Sequence, residues 1–121
     1  MERTRFLDHR GKRILLLDYS GMRDPDEAVR EIRHSMDVVA TQPAGSLLVL
    51  TNVQDARYNT AVLQALKELA AHNAPYVRHS AIIGMSGLHR IAYTAVQMFS
   101  RRKIHVADGQ EQALEWLVQQ P

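Results

Sequence analysis

The chain alternates between short, almost wholly apolar runs and longer stretches in which apolar residues recur every three or four positions. The first pattern marks strands buried on both faces; the second marks amphipathic helices. Residues 13–19, RILLLDY, predict a strong strand. Phe6-Leu7 predicts a short one before it, and HRGK at 9–12 a turn, so the two can close as a hairpin. Asp24, Pro25 and Glu27 then read as a helix start: a capping side chain, a proline at the first helical position and a D-x-x-E box. Ala28, Ile32, Met36 and Val39 follow at helical spacing, until Pro43 and Gly45 end the pattern.

SLLVLTNV at 46–53 is nearly continuously apolar and predicts a central strand. Asn59 caps the next helix, whose inward stripe is Val62, Leu66, Leu69 and Ala70. YVRHSAIIGM at 76–85 holds a further strand. Leu88, Ile91, Ala92, Ala95, Val96 and Phe99 predict the helix after it. KIHVA at 103–107 predicts a short, more polar strand near an edge. Asp108 and Glu111 form a second D-x-x-E box. It starts a last helix that buries Ala113, Leu114, Leu117 and Val118 and sets Trp116 against the sheet rim.

Strand–helix units in succession imply crossover connections. The expected fold is therefore α/β: a mixed, mostly parallel sheet of about five strands, an N-terminal antiparallel hairpin strand, and four crossover or terminal helices. No linker, repeat or low-complexity tract divides the chain, so residues 1–121 read as one domain.

Composition narrows the chemistry. With 45% hydrophobic and 23% charged residues the chain has the balance of a water-soluble globular protein. It contains no cysteine, which excludes disulfides, thiolate metal sites and a cysteine nucleophile, and fits a cytoplasmic setting. The first residues, MERTRFLDHRGKR, have no apolar core and do not read as a secretory signal. No apolar run is long enough to span a bilayer. The net charge is only +2, and Arg90, Arg101, Arg102 and Lys103, the one basic cluster, lack interleaved aromatics; nucleic acid is not an expected partner. The six histidines, His9, His34, His72, His79, His89 and His105, form no H-x-x-x-H or H-E-x-x-H pair, so neither metal nor cofactor is expected. His79 and His105 fall in predicted strands and read as partly buried, hydrogen-bonded residues.

Four stretches, GKRILLLDYSGM, QPAGSLLVLTNV, NAPYVRHSAIIGMSGLHRIAY and QALEWLV, in this order and over nearly the whole chain, resemble the SpoIIAA-like proteins. These include the STAS domains and bacterial proteins described as STAS/SEC14 domain-containing. The resemblance implies helices mainly on one side of a mixed sheet, and a regulatory role exercised by protein contact or ligand sensing rather than catalysis. Anti-sigma-factor antagonists of this type carry a D-S-S/T-G-like motif, phosphorylated on its serine or threonine, at the start of the second main helix. Here Asn59 falls on the acidic position and Thr60 on the phosphorylated one, while the motif's Asp and Gly are absent. Thr60 is thus the candidate phosphorylation site, set against its plainer role as a first-turn helix residue.

Ser86, in GMSGLH, has three readings. As a nucleophile it would need glycines two residues to either side, but Leu88 takes the downstream position. His89 lies on the same helix start, a poor place for a base. As a cap it would satisfy a free N–H of the first turn. As a ligand contact it would join Gly87 and the residues that follow another strand at the same end, Asn52, Gln54 and Asp55, in a small polar pocket at the carboxyl ends of the strands. The leading functional expectation is a non-enzymatic regulatory or interaction domain that pairs with a second copy or another protein. A carrier of a small anion or lipid is the alternative, and a Ser86-dependent hydrolase the third.

Overall fold

The structure is a computed structural model and describes residues 2–57, 59–85 and 104–121. Strands β1 (Thr4–His9) and β2 (Lys12–Asp18) form a hairpin. Helix α1 (Pro25–Val39), strand β3 (Leu47–Asn52), helix α2 (Thr60–Asn73) and strand β4 (Val77–Ile83) follow. Strand β5 (His105–Val106) and helix α3 (Gln110–Gln119) complete the described elements. The five strands lie in chain order, β1-β2-β3-β4-β5. The β1–β2 pair is antiparallel and all later pairs are parallel. This is the expected mixed α/β fold, with three helices among the described residues. The fourth helix expected from the sequence, beginning at Ser86, lies outside them.

The hairpin turns on two residues, Arg10 at φ 49° and Gly11 at φ 80°. Two successive left-handed residues are the signature of the tight turn whose twist matches paired strands, and glycine takes the second place without a Cβ penalty. Apolar residues of β2 and β3 then alternate between two cores. Leu15, Leu17 and Val49 face one side, where Ala28, Ile32 and Val39 of α1 and Val62, Ala65 and Leu69 of α2 cover them. Ile14, Leu16, Leu48 and Leu50 face the other side and meet Ala113, Leu114 and Leu117 of α3.

Helices therefore cover both faces, which corrects the one-sided arrangement implied by the resemblance. α1 and α2 each join strands that step the same way across the sheet, and the common crossover handedness places both on one face. α3 follows the last strand and is free of that constraint. Its docking is reinforced at the hairpin turn, where Glu115 Oε1 lies 2.9 Å from His9 Nε2 and 2.7 Å from Arg10 Nε.

A second correction concerns the start of α3. Gly109 occupies the cap position, without a side-chain hydrogen bond, and Asp108 is an exposed residue before it. The other expected caps are in place: Asp24 Oδ1 accepts from Asp26 N at 3.0 Å, and Asn59 Oδ1 from Val62 N at 2.8 Å. No described helix is long and apolar enough to cross a membrane.

Candidate functional site

Three loops leave the carboxyl ends of β2, β3 and β4, the place where open parallel sheets most often present ligands. Backbone hydrogen bonds join these loops although they are far apart in sequence. Tyr19 N donates to Asn52 O (2.9 Å), Gly21 N to Gln54 O (2.8 Å), Val53 N to Ile83 O (3.0 Å) and Arg57 N to Met22 O (3.0 Å). Gly84, at φ 85°, lies directly under the middle loop. A Cβ there would sit 2.5 Å from Gln54 N, so only glycine fits both the backbone angle and the contact.

Within this junction Asn52 Oδ1 accepts from Gln54 N at 3.0 Å, a local turn that holds the loop's shape. Asp55 has φ 59°, a left-handed position that Asp tolerates better than most residues. Gln54, Asp55, Arg57, Asn59 and Thr60 are all exposed. The loop thus offers amides, a carboxylate, a guanidinium and a hydroxyl to solvent from a backbone fixed on both sides. The structure brings Asn52, Gln54 and Asp55 together at the strand ends. Ser86 and Gly87 lie outside the described residues, as does the basic cluster at 90 and 101–103. Thr60 is the first residue of α2, directly after its cap.

Beneath the loops lies a cavity of about 10 Å³, bordered by Tyr19, Met22, Ile32, Val53, Val62 and Leu66 among others. That is room for about one water. A wider, open groove of about 390 Å³ runs between α3 and β5. In it His105 stacks on Trp116 with ring centroids 4.2 Å apart and planes 4° from parallel. His79 meets the same indole edge-on at 6.1 Å, and its Nε2 lies 3.1 Å from Pro121 O. Both histidines are half-buried, as expected; His79 is hydrogen-bonded, whereas among the described residues His105 is held by stacking and not by the expected hydrogen bond. Glu115, on the groove wall, is held below the usual carboxylate range, first by its hydrogen bond to His9 and then by the neighbouring Arg10. Among the described residues no group of three metal-ligating side chains occurs.

One buried polar cluster was not anticipated. Tyr19 OH donates to Ser35 Oγ at 2.7 Å, Ser35 Oγ lies 2.7 Å from Thr4 Oγ1, and Thr4 Oγ1 donates to Glu31 Oε2 at 2.7 Å. Ser35 Oγ also lies 3.1 Å from Glu31 O, so its single proton is shared between that carbonyl and Thr4 Oγ1. Because the chain ends on a carboxylate, its protons point one way, from phenol to serine to threonine to Glu31. Burial holds the Tyr19 hydroxyl far above its usual range, with the Glu31 charge adding to it and the Ser35 hydrogen bond opposing. The signal was available: Ser35 falls on the stripe 28, 32, 35, 39, where a polar residue must find a partner.

Comparison of the chain with protein-family models, with curated proteins and with solved structures finds no match.

Proposed function

We propose that the chain is a regulatory domain of the SpoIIAA-like kind that works by protein contact without catalysis. In this reading it pairs with a second copy and presents the strand-end loops to a further partner. The observation that carries this reading is the loop platform. The exposed side chains of Gln54, Asp55, Arg57, Asn59 and Thr60 stand on a backbone braced by hydrogen bonds from two neighbouring loops. A preorganised surface of this kind binds without the cost of ordering its own backbone. Phosphorylation of Thr60 would add negative charge at the amino end of α2, where the helix dipole favours it.

The same platform supports a second reading, the surface capture of a small anion or a lipid headgroup, because three strand-end loops converge there. Native mass spectrometry of freshly purified protein separates the two. The proposed function expects a species of twice the chain mass with nothing added. A monomer carrying a constant extra mass would replace it with the ligand-binding reading. Fluorophosphonate labelling that disappears in Ser86→Ala would overturn both in favour of a hydrolase.

A further inference from the structure

Among the described residues, β1 forms an unpaired outer edge of the sheet. β1 is six residues long and its register with β2 runs unbroken from Thr4↔Leu17 to His9↔Lys12. It has neither the proline nor the bulge that commonly guards an edge strand. The opposite edge, β5, is only two residues long. Two observations fix which backbone groups of β1 face outward. The tight turn makes His9–Lys12 a hydrogen-bonded pair, and Asp18 N donates to Arg3 O at 2.9 Å. Hydrogen-bonded pairs alternate along an antiparallel ladder. The odd residues of β1 therefore spend their N–H and C=O on β2, while those of Thr4, Phe6 and Asp8 point away from the sheet.

We propose that this edge pairs antiparallel with β1 of a second copy about a two-fold axis at Leu7; the inference rests on the self-association included in the proposed function. With Leu7 on the axis, Phe6 stands opposite Asp8 of the second copy and Asp8 opposite its Phe6. Each such pair exchanges two backbone hydrogen bonds, and the side chains of each pair share a face, as an antiparallel ladder requires. The two leucines meet at the centre.

Charge selects this register. The Arg13 guanidinium lies 3.6 Å above the Phe6 ring, although Asp8 is its own cross-strand neighbour. Asp8 is exposed, and among the described residues its carboxylate has neither ion pair nor hydrogen bond. Pairing at Leu7 sets Asp8 of each copy beside the Phe6 over which the other copy's Arg13 lies, so each free carboxylate gains a cation. An axis at Phe6 would set Asp8 beside Thr4, which already hydrogen-bonds the Glu31 carboxylate. That register turns Asp8 towards a residue whose hydroxyl already serves a second carboxylate.

Amide hydrogen exchange followed by NMR over a concentration series tests the pairing. The amides of Arg5, Leu7 and His9 should be protected at every concentration, and those of Phe6 and Asp8 only as the dimer forms. Asp8→Pro removes an outward N–H that the hairpin does not use, so it should keep the fold while weakening self-association. Asp8→Arg and Arg13→Asp should each weaken self-association about tenfold, since two symmetry-related pairs turn from attraction to repulsion. The double variant should recover most of the loss. A dimer whose Phe6 and Asp8 amides stay unprotected, or that ignores the charge variants, overturns this interface and leaves self-association standing. A strict monomer at high micromolar concentration overturns both. If Asp8→Pro fails to fold, the charge cycle still decides, because absence of recovery in the double variant rejects the register.

Discussion

Ser35 sits on the inward stripe of α1 with no exposed surface, and its hydroxyl accepts from Tyr19 while serving Thr4 and the Glu31 carbonyl. Replacing it by alanine leaves a buried phenol without an acceptor, a loss of about 1–3 kcal/mol. Tyr19→Phe removes only the donor at the end of the chain and should cost about 1 kcal/mol. Because the two groups share one bond, the double variant should lose less than the sum. The buried phenol also gives a pH signature. Its folded pKa is raised, so its contribution is fully present below the unfolded value of about 10 and is lost as pH rises from there towards the folded value. In that window the unfolded chain ionises and the folded one does not, which removes about 1.4 kcal/mol per pH unit. Urea midpoints measured from about pH 9 to about pH 11 should therefore fall more steeply in wild type than in Tyr19→Phe. Parallel slopes would mean that the phenol reaches solvent.

At the scale of the elements, the helix starts separate a sound reading from a mistaken one. Asp24 accepts a backbone N–H of the first turn of α1, and Asp24→Ala should lower stability by about 1 kcal/mol. Asp108 has the same D-x-x-E setting, yet the cap falls on Gly109. Asp108→Ala should leave the denaturation midpoint almost unchanged, and equal losses in the two variants would show that Asp108 caps in solution. The two boxes look alike because a capping box is local, whereas the start of α3 is set by where Ala113, Leu114 and Leu117 must reach the sheet. The strands were legible to within a residue or two where they are apolar, as in ILLL and LLVL. β1 was legible only at Phe6-Leu7, since Arg5 and Asp8 break the pattern while the ladder to β2 carries the strand from Thr4 to His9 regardless of side chain. The candidate site was half legible. Asn52, Gln54 and Asp55 could be placed at a strand end from the sequence. The bonds from Gly21 to Gln54 and the seat of Gly84 beneath it join loops about thirty residues apart, which no local pattern encodes.

At the scale of the whole molecule, the described residues form two cores that share one sheet, and strands β2 and β3 contribute alternate residues to each. Neither core can dissolve without freeing one face of the same four apolar positions in β2, so the layers should unfold together. Two probes see different layers. Trp116, the only tryptophan, lies on α3 against His105 and His79. Among the described helices, ellipticity is weighted towards α1 and α2, which have 15 and 14 residues against 10 in α3. Tryptophan fluorescence and far-ultraviolet circular dichroism should therefore report the same urea midpoint. Leu117→Ala sharpens the test. Leu117 is fully buried between α3 and the sheet, and its truncation should cost about 2–5 kcal/mol, a large share of the roughly 5–15 kcal/mol that holds a domain together. If the layers are coupled, both probes shift by that amount and remain superimposed. If α3 is a separable cover, the fluorescence transition alone moves to lower urea, while α1, α2 and their face of the sheet melt where they did before.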